Sequence, residues 1–259
     1  YDRTLCIRCE ACVAACPNGA LSNHPESEEF IAVDRQTCNN TGACVTACPT
    51  GAIHWDSRSY GVSELVDLLE RDRVFYDSSG GGITLSGGEP LFQAEFAEAV
   101  LAEAKGRKLH TAIETTLSSS RNRLERFLPV FDYVLADVKI WDPSFHKETV
   151  GVESAPILDN IRFLAEERAK GTVELLVRVP LIPEMSATME NLRPIAAFVR
   201  DLPGDVPLEL INFNPLPAAK YRVLGTEYAF SSYTSPYSQE DYDEFVDIAR
   251  GEGARVIRS

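Results

Sequence analysis

The sequence predicts an α/β protein in which a small cysteine-rich domain, residues 1–56, precedes a partial (β/α) barrel, residues 57–259. Three observations support this division. All seven cysteines lie between Cys6 and Cys48. From Val62 onward, stretches with helical apolar periodicity alternate with short apolar stretches typical of strands. Each of these predicted strands becomes polar at its C-terminal end.

The composition, 44% hydrophobic and 25% charged, is that of an ordinary globular protein. A formal net charge of -14 argues against nucleic acid as a partner, because phosphate contacts require clustered Lys and Arg. No apolar run approaches the roughly 20 residues of a membrane span, and no signal-peptide pattern opens the chain. We therefore expect no membrane partner and a cytoplasmic location. Tyr1 is not an initiator methionine, so the sequence allows for residues before it.

The cysteines form two similar runs, "CIRCEACVAACP" and "CNNTGACVTACP". The first has the spacing C-x2-C-x2-C-x3-C-P that iron–sulfur clusters use. The second lacks one cysteine, because Thr41 stands where the first run has Cys9. An odd number of cysteines without a signal peptide fits a disulfide framework poorly, and zinc sites usually keep their CxxC pairs well apart. The spacing thus favours iron–sulfur clusters.

In repeats of this kind, the fourth cysteine of each run binds the other cluster. The first cluster is therefore predicted to have four ligands: Cys6, Cys9, Cys12 and Cys48. The second is predicted to have three: Cys16, Cys38 and Cys44. At its remaining corner lies Thr41, whose hydroxyl is a poor ligand for iron. That cluster is either a three-iron cluster or a four-iron cluster. In a four-iron cluster, the remaining iron would be coordinated by water, a carboxylate, His or a cysteine from outside this segment. Two such clusters would form an electron wire, as the similarity to two-cluster ferredoxins implies.

The barrel is predicted from helices and strands that alternate along the chain. In "VSELVDLLERDRVF", apolar residues fall on one broad helical face: Val62, Leu65, Val66, Leu68 and Leu69. The strand "GGITLSGGEP" follows and ends in a glycine pair and a glutamate. A second helix is then predicted from Phe92, Phe96, Ala99 and Val100.

Four more strands are predicted: "HTAIETT", "YVLADVK", "VELLVRVPLIP" and "LELINFNPL". The helices between them are "RNRLERFL", "APILDNIRFLAEERA" and "SATMENLRPIAAFVRDL". The polar residues at the strand ends are Glu89, Glu114 with Thr115, Asp137 with Lys139, Arg178, and Asn212 with Asn214. Active sites of β/α barrels lie at this rim, which predicts a functional site there. Five or six β/α units fall short of a full barrel of eight.

Two simpler interpretations of these residues compete with a cofactor site. A phosphate-binding loop at "GGGITLSGGEP" is disfavoured, because it lacks the Lys of GxxxxGK[ST] and contains no GxGxxG. The charged residues of "ETT" and "DVK" could equally well form ion pairs whose only role is to stabilise the fold.

Five segments together resemble the glycyl-radical-enzyme activating enzymes of the radical S-adenosylmethionine (radical SAM) superfamily. They are "ITLSGGEPLFQ" (83–93), "HTAIETT" (110–116), "DYVLADVKIWDPSFHKETVG" (132–151), "RVPLIP" (178–183) and "KYRVLG" (220–225). The members that this sequence resembles carry a ferredoxin-type insert. The resemblance implies a partial barrel of the radical SAM type with a small two-cluster ferredoxin-like domain.

The resemblance also implies an activity and a site. A catalytic 4Fe-4S cluster would cleave S-adenosylmethionine reductively, and the 5′-deoxyadenosyl radical would abstract hydrogen from a glycine of a partner glycyl radical enzyme. Flavodoxin or ferredoxin would donate electrons. Gly87, Gly88 and Glu89 would receive the methionyl ammonium. Asp137 and Lys139, as catalytic residues, and Arg178 would face the methionyl carboxylate, the ribose or the glycine loop of the partner. Glu114 and Thr115 occupy the matching position on the neighbouring strand.

Two departures from the family pattern matter. The motif CxxxCxxC of the catalytic cluster does not occur in residues 1–259. It precedes the insert in the family, so we expect it, with the first strand, before Tyr1, and expect residues 1–259 alone to be inactive. Asn214 stands where some relatives have histidine. Two alternatives remain open: a non-catalytic iron–sulfur electron carrier or scaffold, and a radical SAM enzyme acting on a small molecule.

Overall fold

The computed structural model describes residues 1–224 and 227–258, without the side chains of residue 219 and residues 222–224. Gly225, which ends the "KYRVLG" segment, lies outside the described residues. The chain forms two compact units: Tyr1–Ser59 with Leu216–Ala229, and Tyr60–Pro215 with Phe230–Ser259. None of the described helices has the length and apolar character needed to cross a membrane.

The small unit repeats one pattern twice. Helix α1 (Ala11–Ala15) and strand β1 (Leu21–Asn23) come from the first cysteine run and the residues after it. Strand β2 (Ile31–Val33) pairs antiparallel with β1, and helix α2 (Ala43–Ala47) comes from the second run. Its core is small and consists of Cys12, Leu21, Phe30, Ile31 and Ile53. Helix α10 (Pro217–Leu224) belongs to the same unit.

The large unit contains a six-stranded parallel sheet whose strand order follows the chain. The strands are β3 (Gly82–Leu85), β4 (His110–Thr115), β5 (Tyr133–Asp137), β6 (Glu174–Pro180), β7 (Leu208–Ile211) and β8 (Val256–Ile257). The helices are α3 (Val62–Leu69), α4 (Arg73–Ser79), α5 (Ala94–Gly106), α6 (Arg121–Phe127), α7 (Pro143–Val150), α8 (Ala155–Ala169), α9 (Met189–Arg200) and α11 (Gln239–Gly251). Consecutive parallel strands joined through helices form the predicted partial (β/α) barrel.

The two faces of this sheet differ in chemistry, because successive side chains of a strand point to opposite faces. One face carries fully buried apolar residues that pack in a single core with the helices: Ile113, Val134, Ala136, Leu175, Val177, Val179, Leu208 and Leu210. The other face, called here the inner face, carries Glu114, Asp137, Arg178 and Glu209. Asp137 and Arg178 are register partners, and so are Arg178 and Glu209.

Two details of the predicted helices are wrong. The helix from Val62 ends at Leu69 and is followed by a 3-10 turn, Glu70–Asp72, and Leu68, placed on the apolar face by the sequence pattern, is 38% exposed. Phe92 lies outside α5 and is 82% exposed. The physical reason is a separate 3-10 helix, Pro90–Gln93, whose start is fixed by a proline and by the Glu89 carboxylate, which accepts from Leu91 N.

Among the elements that the sequence pattern missed are α7, α11 and β8. Helix α7 had a recognisable start, since Asp142 caps it by accepting from Phe145 N at 2.7 Å and Pro143 follows. Strand β8 has only two residues, too few for any periodicity.

Candidate functional site

Four cysteines line one pocket of the small unit: Cys6, Cys9, Cys12 and Cys48. These are the four ligands predicted for the first cluster. Ile53 N donates to Cys48 Sγ at 3.5 Å, and this bond lowers the pKa of that thiol. Among the described residues, no three Cys, His, Asp or Glu side chains are arranged to hold a single metal ion. An iron–sulfur cluster instead takes one thiolate at each of four irons, and the four thiols around this pocket fit that need.

The second run keeps the backbone of the first although one cysteine is missing. Arg8 and Glu10 have left-handed φ angles of 58° and 59°, and Asn40 and Gly42 have 56° and 76° at the equivalent positions. Thr41 therefore lies in the same loop geometry as Cys9. At Gly42, an added Cβ would lie 2.8 Å from Cζ2 of Trp55, so the indole covers the loop beside Thr41.

Thr41→Cys is expected to convert the second cluster into a reducible four-iron cluster, because it supplies a thiolate from a loop of the right conformation. The oxidised wild type should show a three-iron signal by electron paramagnetic resonance, which the variant should lose. The added negative ligand should also lower the reduction potential. Thr46→Cys, an exposed change in α2, is the control and should leave the signal unchanged. Two intact four-iron clusters in oxidised wild type would contradict this prediction.

On the inner face of the large unit, Arg178 lies between two carboxylates. Its Nη1 is 3.1 Å from Glu114 Oε1, and its Nε is 3.2 Å from Glu209 Oε2. The second contact is an ion pair without hydrogen-bond alignment, because Nε has no hydrogen-bond partner. The side chains of Arg178 and Glu209 are only 15% and 10% exposed. Glu209 was missed by the sequence analysis, although a charged residue inside an apolar strand was the available signal.

Asp137 and Lys139 lie at the C-terminal end of β5. Val138 and Ile140 are both buried, so the alternation of the strand continues through Lys139. Burial raises the pKa of Asp137, against the opposing effect of Lys139 and Arg178. This carboxyl group therefore stabilises the fold in acid, and the contribution is lost as the pH rises through its raised folded-state pKa. Asp137 Oδ1 is buried without a hydrogen-bond partner, and within the described part of the chain the Lys139 ammonium has no ion pair.

The backbone that follows Lys139, on either side of Ile140, is held by Asn191, a buried residue of α9. Its Nδ2 donates to Lys139 O at 3.0 Å, and its Oδ1 accepts from Trp141 N at 2.7 Å. Asn212, another polar strand end, has a similar role, since it exchanges two hydrogen bonds with the backbone of Tyr237. These amides position loops, and neither was identified as such from sequence.

The glycine pair after β3 adopts a conformation that only glycine takes without strain. Gly87 and Gly88 have φ angles of 80° and 64°, and both are exposed. Glu89 follows them, but its carboxylate is turned toward the end of β4 and accepts from the hydroxyls of Thr115 and Thr116 at 2.7 Å each. Thr115 is 3% exposed and faces the helices, opposite to Glu114. The structure thus groups the rim residues in two sets, one on each face of the sheet.

The comparisons with known proteins agree with this architecture. A 4Fe-4S dicluster domain matches residues 5–52, and the radical SAM superfamily matches residues 38–191. The isethionate sulfite-lyase activating enzyme of Desulfovibrio desulfuricans is 35% identical over 220 residues, which cover 85% of this chain and 69% of the relative. The choline trimethylamine-lyase activating enzyme of Oleidesulfovibrio alaskensis is 33% identical, covering 88% and 73%. This chain belongs to the glycyl radical enzyme activating enzymes of the radical SAM superfamily.

Solved structures share this fold. A domain of the pyruvate-formate lyase-activating enzyme from Bacteroides vulgatus superposes with a TM-score of 0.55 at 25% identity, covering 70% of this chain and 99% of that domain. A radical SAM methyltransferase from Sphaerobacter thermophilus, 17% identical, shares the fold with a TM-score of 0.58, over 78% of this chain and 58% of that one. The predicted family and fold class are confirmed. The protein is a radical SAM activating enzyme, and its domains imply iron–sulfur clusters and S-adenosylmethionine as cofactors.

Proposed function

We propose that this activating enzyme binds S-adenosylmethionine at the barrel rim, cleaves it reductively and abstracts a hydrogen atom from a glycine of a partner glycyl radical enzyme. One observation carries the proposal. On an inner face where Glu114, Arg178 and Glu209 are ion-paired, Asp137 Oδ1 has no hydrogen-bond partner and, among the described residues, Lys139 has no ion pair. A buried, unpaired polar atom costs free energy unless a ligand completes it.

The residues of the rim would divide the work of binding. Lys139 would pair with the methionyl carboxylate, and Asp137 would accept hydrogen bonds from the ribose hydroxyls. Arg178, already flanked by two carboxylates, would direct its remaining N–H donors to the same region or to the glycine loop of the partner. Gly87 and Gly88 would let the methionyl ammonium approach the backbone closely. When bound, S-adenosylmethionine supplies the radical chemistry, and the residues of this chain orient it.

The seven cysteines of the small unit would hold two clusters that relay electrons. The ligands would be Cys6, Cys9, Cys12 and Cys48 for the first cluster and Cys16, Cys38 and Cys44 for the second. Because these assignments use every cysteine of residues 1–259, the catalytic cluster would take its ligands from outside this segment. The polypeptide of residues 1–259 alone should then form no 5′-deoxyadenosine. A small electron-transfer protein such as flavodoxin or ferredoxin would supply the electrons.

The test uses the natural protein that contains residues 1–259, reconstituted anaerobically with iron and sulfide and mixed with reductant, S-adenosylmethionine and a candidate glycyl radical enzyme. A glycyl radical signal by electron paramagnetic resonance, together with 5′-deoxyadenosine, is the expected result. Lys139→Met should weaken S-adenosylmethionine binding about ten- to a hundred-fold, since bonds to charged groups contribute about 1.5–3 kcal/mol.

Lys170→Met is the matched control, because Lys170, the residue after α8, is 64% exposed and pairs with Glu167. It should leave binding unchanged. If 5′-deoxyadenosine forms in the presence of a small molecule, but none of the tested glycyl radical enzymes acquires a radical, the result would favour the small-molecule alternative. No 5′-deoxyadenosine under any condition would favour a non-catalytic electron carrier.

A further inference from the structure

The carboxylate of Glu89 is fully occupied within the protein. Oε1 accepts from Leu91 N at 3.1 Å and from the Thr115 hydroxyl at 2.7 Å. Oε2 accepts from Thr116 N at 2.8 Å and from the Thr116 hydroxyl at 2.7 Å. A carboxylate has about four acceptor sites, so these four donors leave none for a ligand. The ammonium of S-adenosylmethionine would have to displace one of them.

These hydrogen bonds end in a strained loop, residues 115–119. Leu117 has a φ angle of 57°, which is unfavourable for a bulky residue. Leu117 is also only 1% exposed, so it is packed against its surroundings. Such a conformation persists only where the surroundings enforce it. Leu117 N donates to the Thr115 hydroxyl at 3.0 Å, and the buried Asn160 donates from Nδ2 to Leu117 O at 3.0 Å and to Ser119 O at 2.8 Å.

The direction of the hydrogen bonds through Thr115 is determined. Its hydroxyl accepts from Leu117 N and must therefore direct its own hydrogen elsewhere, and the Glu89 carboxylate at 2.7 Å can only accept. Glu89, the Thr115 hydroxyl and the Leu117 backbone thus form one continuous chain of hydrogen bonds. On the inner face, a second bond joins the loop after β3 to strand β4, from Ser86 Oγ to Glu114 Oε2 at 3.1 Å.

We propose that Glu89 is a positioning residue, whose carboxylate fixes the glycine loop of β3 to the strained loop after β4. It therefore acts on S-adenosylmethionine through the backbone that it holds, and not by pairing with the methionyl ammonium. This inference rests on the proposed function. It departs from the expectation drawn from the family resemblance, in which this carboxylate pairs the charge of the ligand directly.

A double-mutant cycle separates the two roles. Glu89→Gln places an amide against hydrogen-bond donors, and Thr116→Val removes one of the donors to Oε2 while leaving the carboxylate in place. If Glu89 positions the loop, each single variant weakens S-adenosylmethionine binding about ten-fold. The double variant then binds S-adenosylmethionine no more weakly than the single variant with the lower affinity. If Glu89 pairs with the ammonium, Thr116→Val frees an acceptor site and binding stays unchanged or tightens, which overturns the proposal.

The binding measurements use the natural, anaerobically reconstituted protein well below its unfolding temperature, so that a loss of stability alone does not change the affinity. Hydrogen exchange at residues 115–119, measured without S-adenosylmethionine, should accelerate in both single variants. Glu98→Gln is the matched control, because Glu98 pairs with Arg126, whose side chain is 62% exposed. It should leave both measurements near wild type.

The exchange experiment also distinguishes the two possible failures. If wild type binds no S-adenosylmethionine, the proposed function fails, and the positioning role toward that ligand fails with it. If wild type binds but the variants show unchanged exchange at residues 115–119, the proposed function stands, and the bridge between the two loops is refuted.

Discussion

Replacing Arg178 with leucine is expected to destabilise the large unit by about 3–5 kcal/mol, the cost of breaking a buried ion pair by removing one partner. Arg178 is the cation between Glu114 and Glu209 on the inner face of the sheet. Glu209 dominates the effect, because its side chain is 10% exposed whereas that of Glu114 is 36% exposed. Urea unfolding at neutral pH, followed by far-ultraviolet circular dichroism, measures the loss.

Two further variants control the Arg178 result. Arg178→Lys keeps a charge and should lose less stability. Arg126→Leu removes an ion pair with Glu98 in which the arginine is 62% exposed, and should cost about 0–1 kcal/mol. A loss in Arg178→Leu no greater than that in Arg126→Leu would show that the inner-face charges are not coupled as the distances indicate.

Cys48→Ser is expected to abolish the first cluster, although Cys48 belongs to the second cysteine run. The reason is that Cys48 lines the same pocket as Cys6, Cys9 and Cys12. By the same repeat logic, Cys16→Ser should abolish the second cluster. Iron and sulfide analysis after anaerobic reconstitution, with electron paramagnetic resonance of the oxidised and reduced protein, identifies which cluster remains.

The two serine variants serve as controls for each other. Cys48→Ser should keep the three-iron signal expected of the cluster beside Thr41, whereas Cys16→Ser should keep only a four-iron cluster. If each substitution instead removes the cluster of its own run, the crossed ligand assignment is wrong.

The sequence by itself determined the family, the fold class and the number of available thiolates. These properties depend on spacing along the chain. The run C-x2-C-x2-C-x3-C-P, the substitution of Thr41 for a cysteine and the alternation of helix and strand are all local patterns. Helix α8, for example, has the bounds that its apolar periodicity predicts, Ala155–Ala169.

The tertiary structure decided which polar residues pair with each other, including Glu209, which was not predicted. Glu89 and Thr116, or Arg178 and Glu209, are far apart in the chain and meet only through the register of parallel strands, which no local pattern encodes. The same register separates Glu114 from Thr115 on opposite faces and leaves Asp137 Oδ1 without a partner. Most polar residues of the rim could thus be named from sequence, but their roles depend on hydrogen bonds and ion pairs that form only when the sheet is assembled.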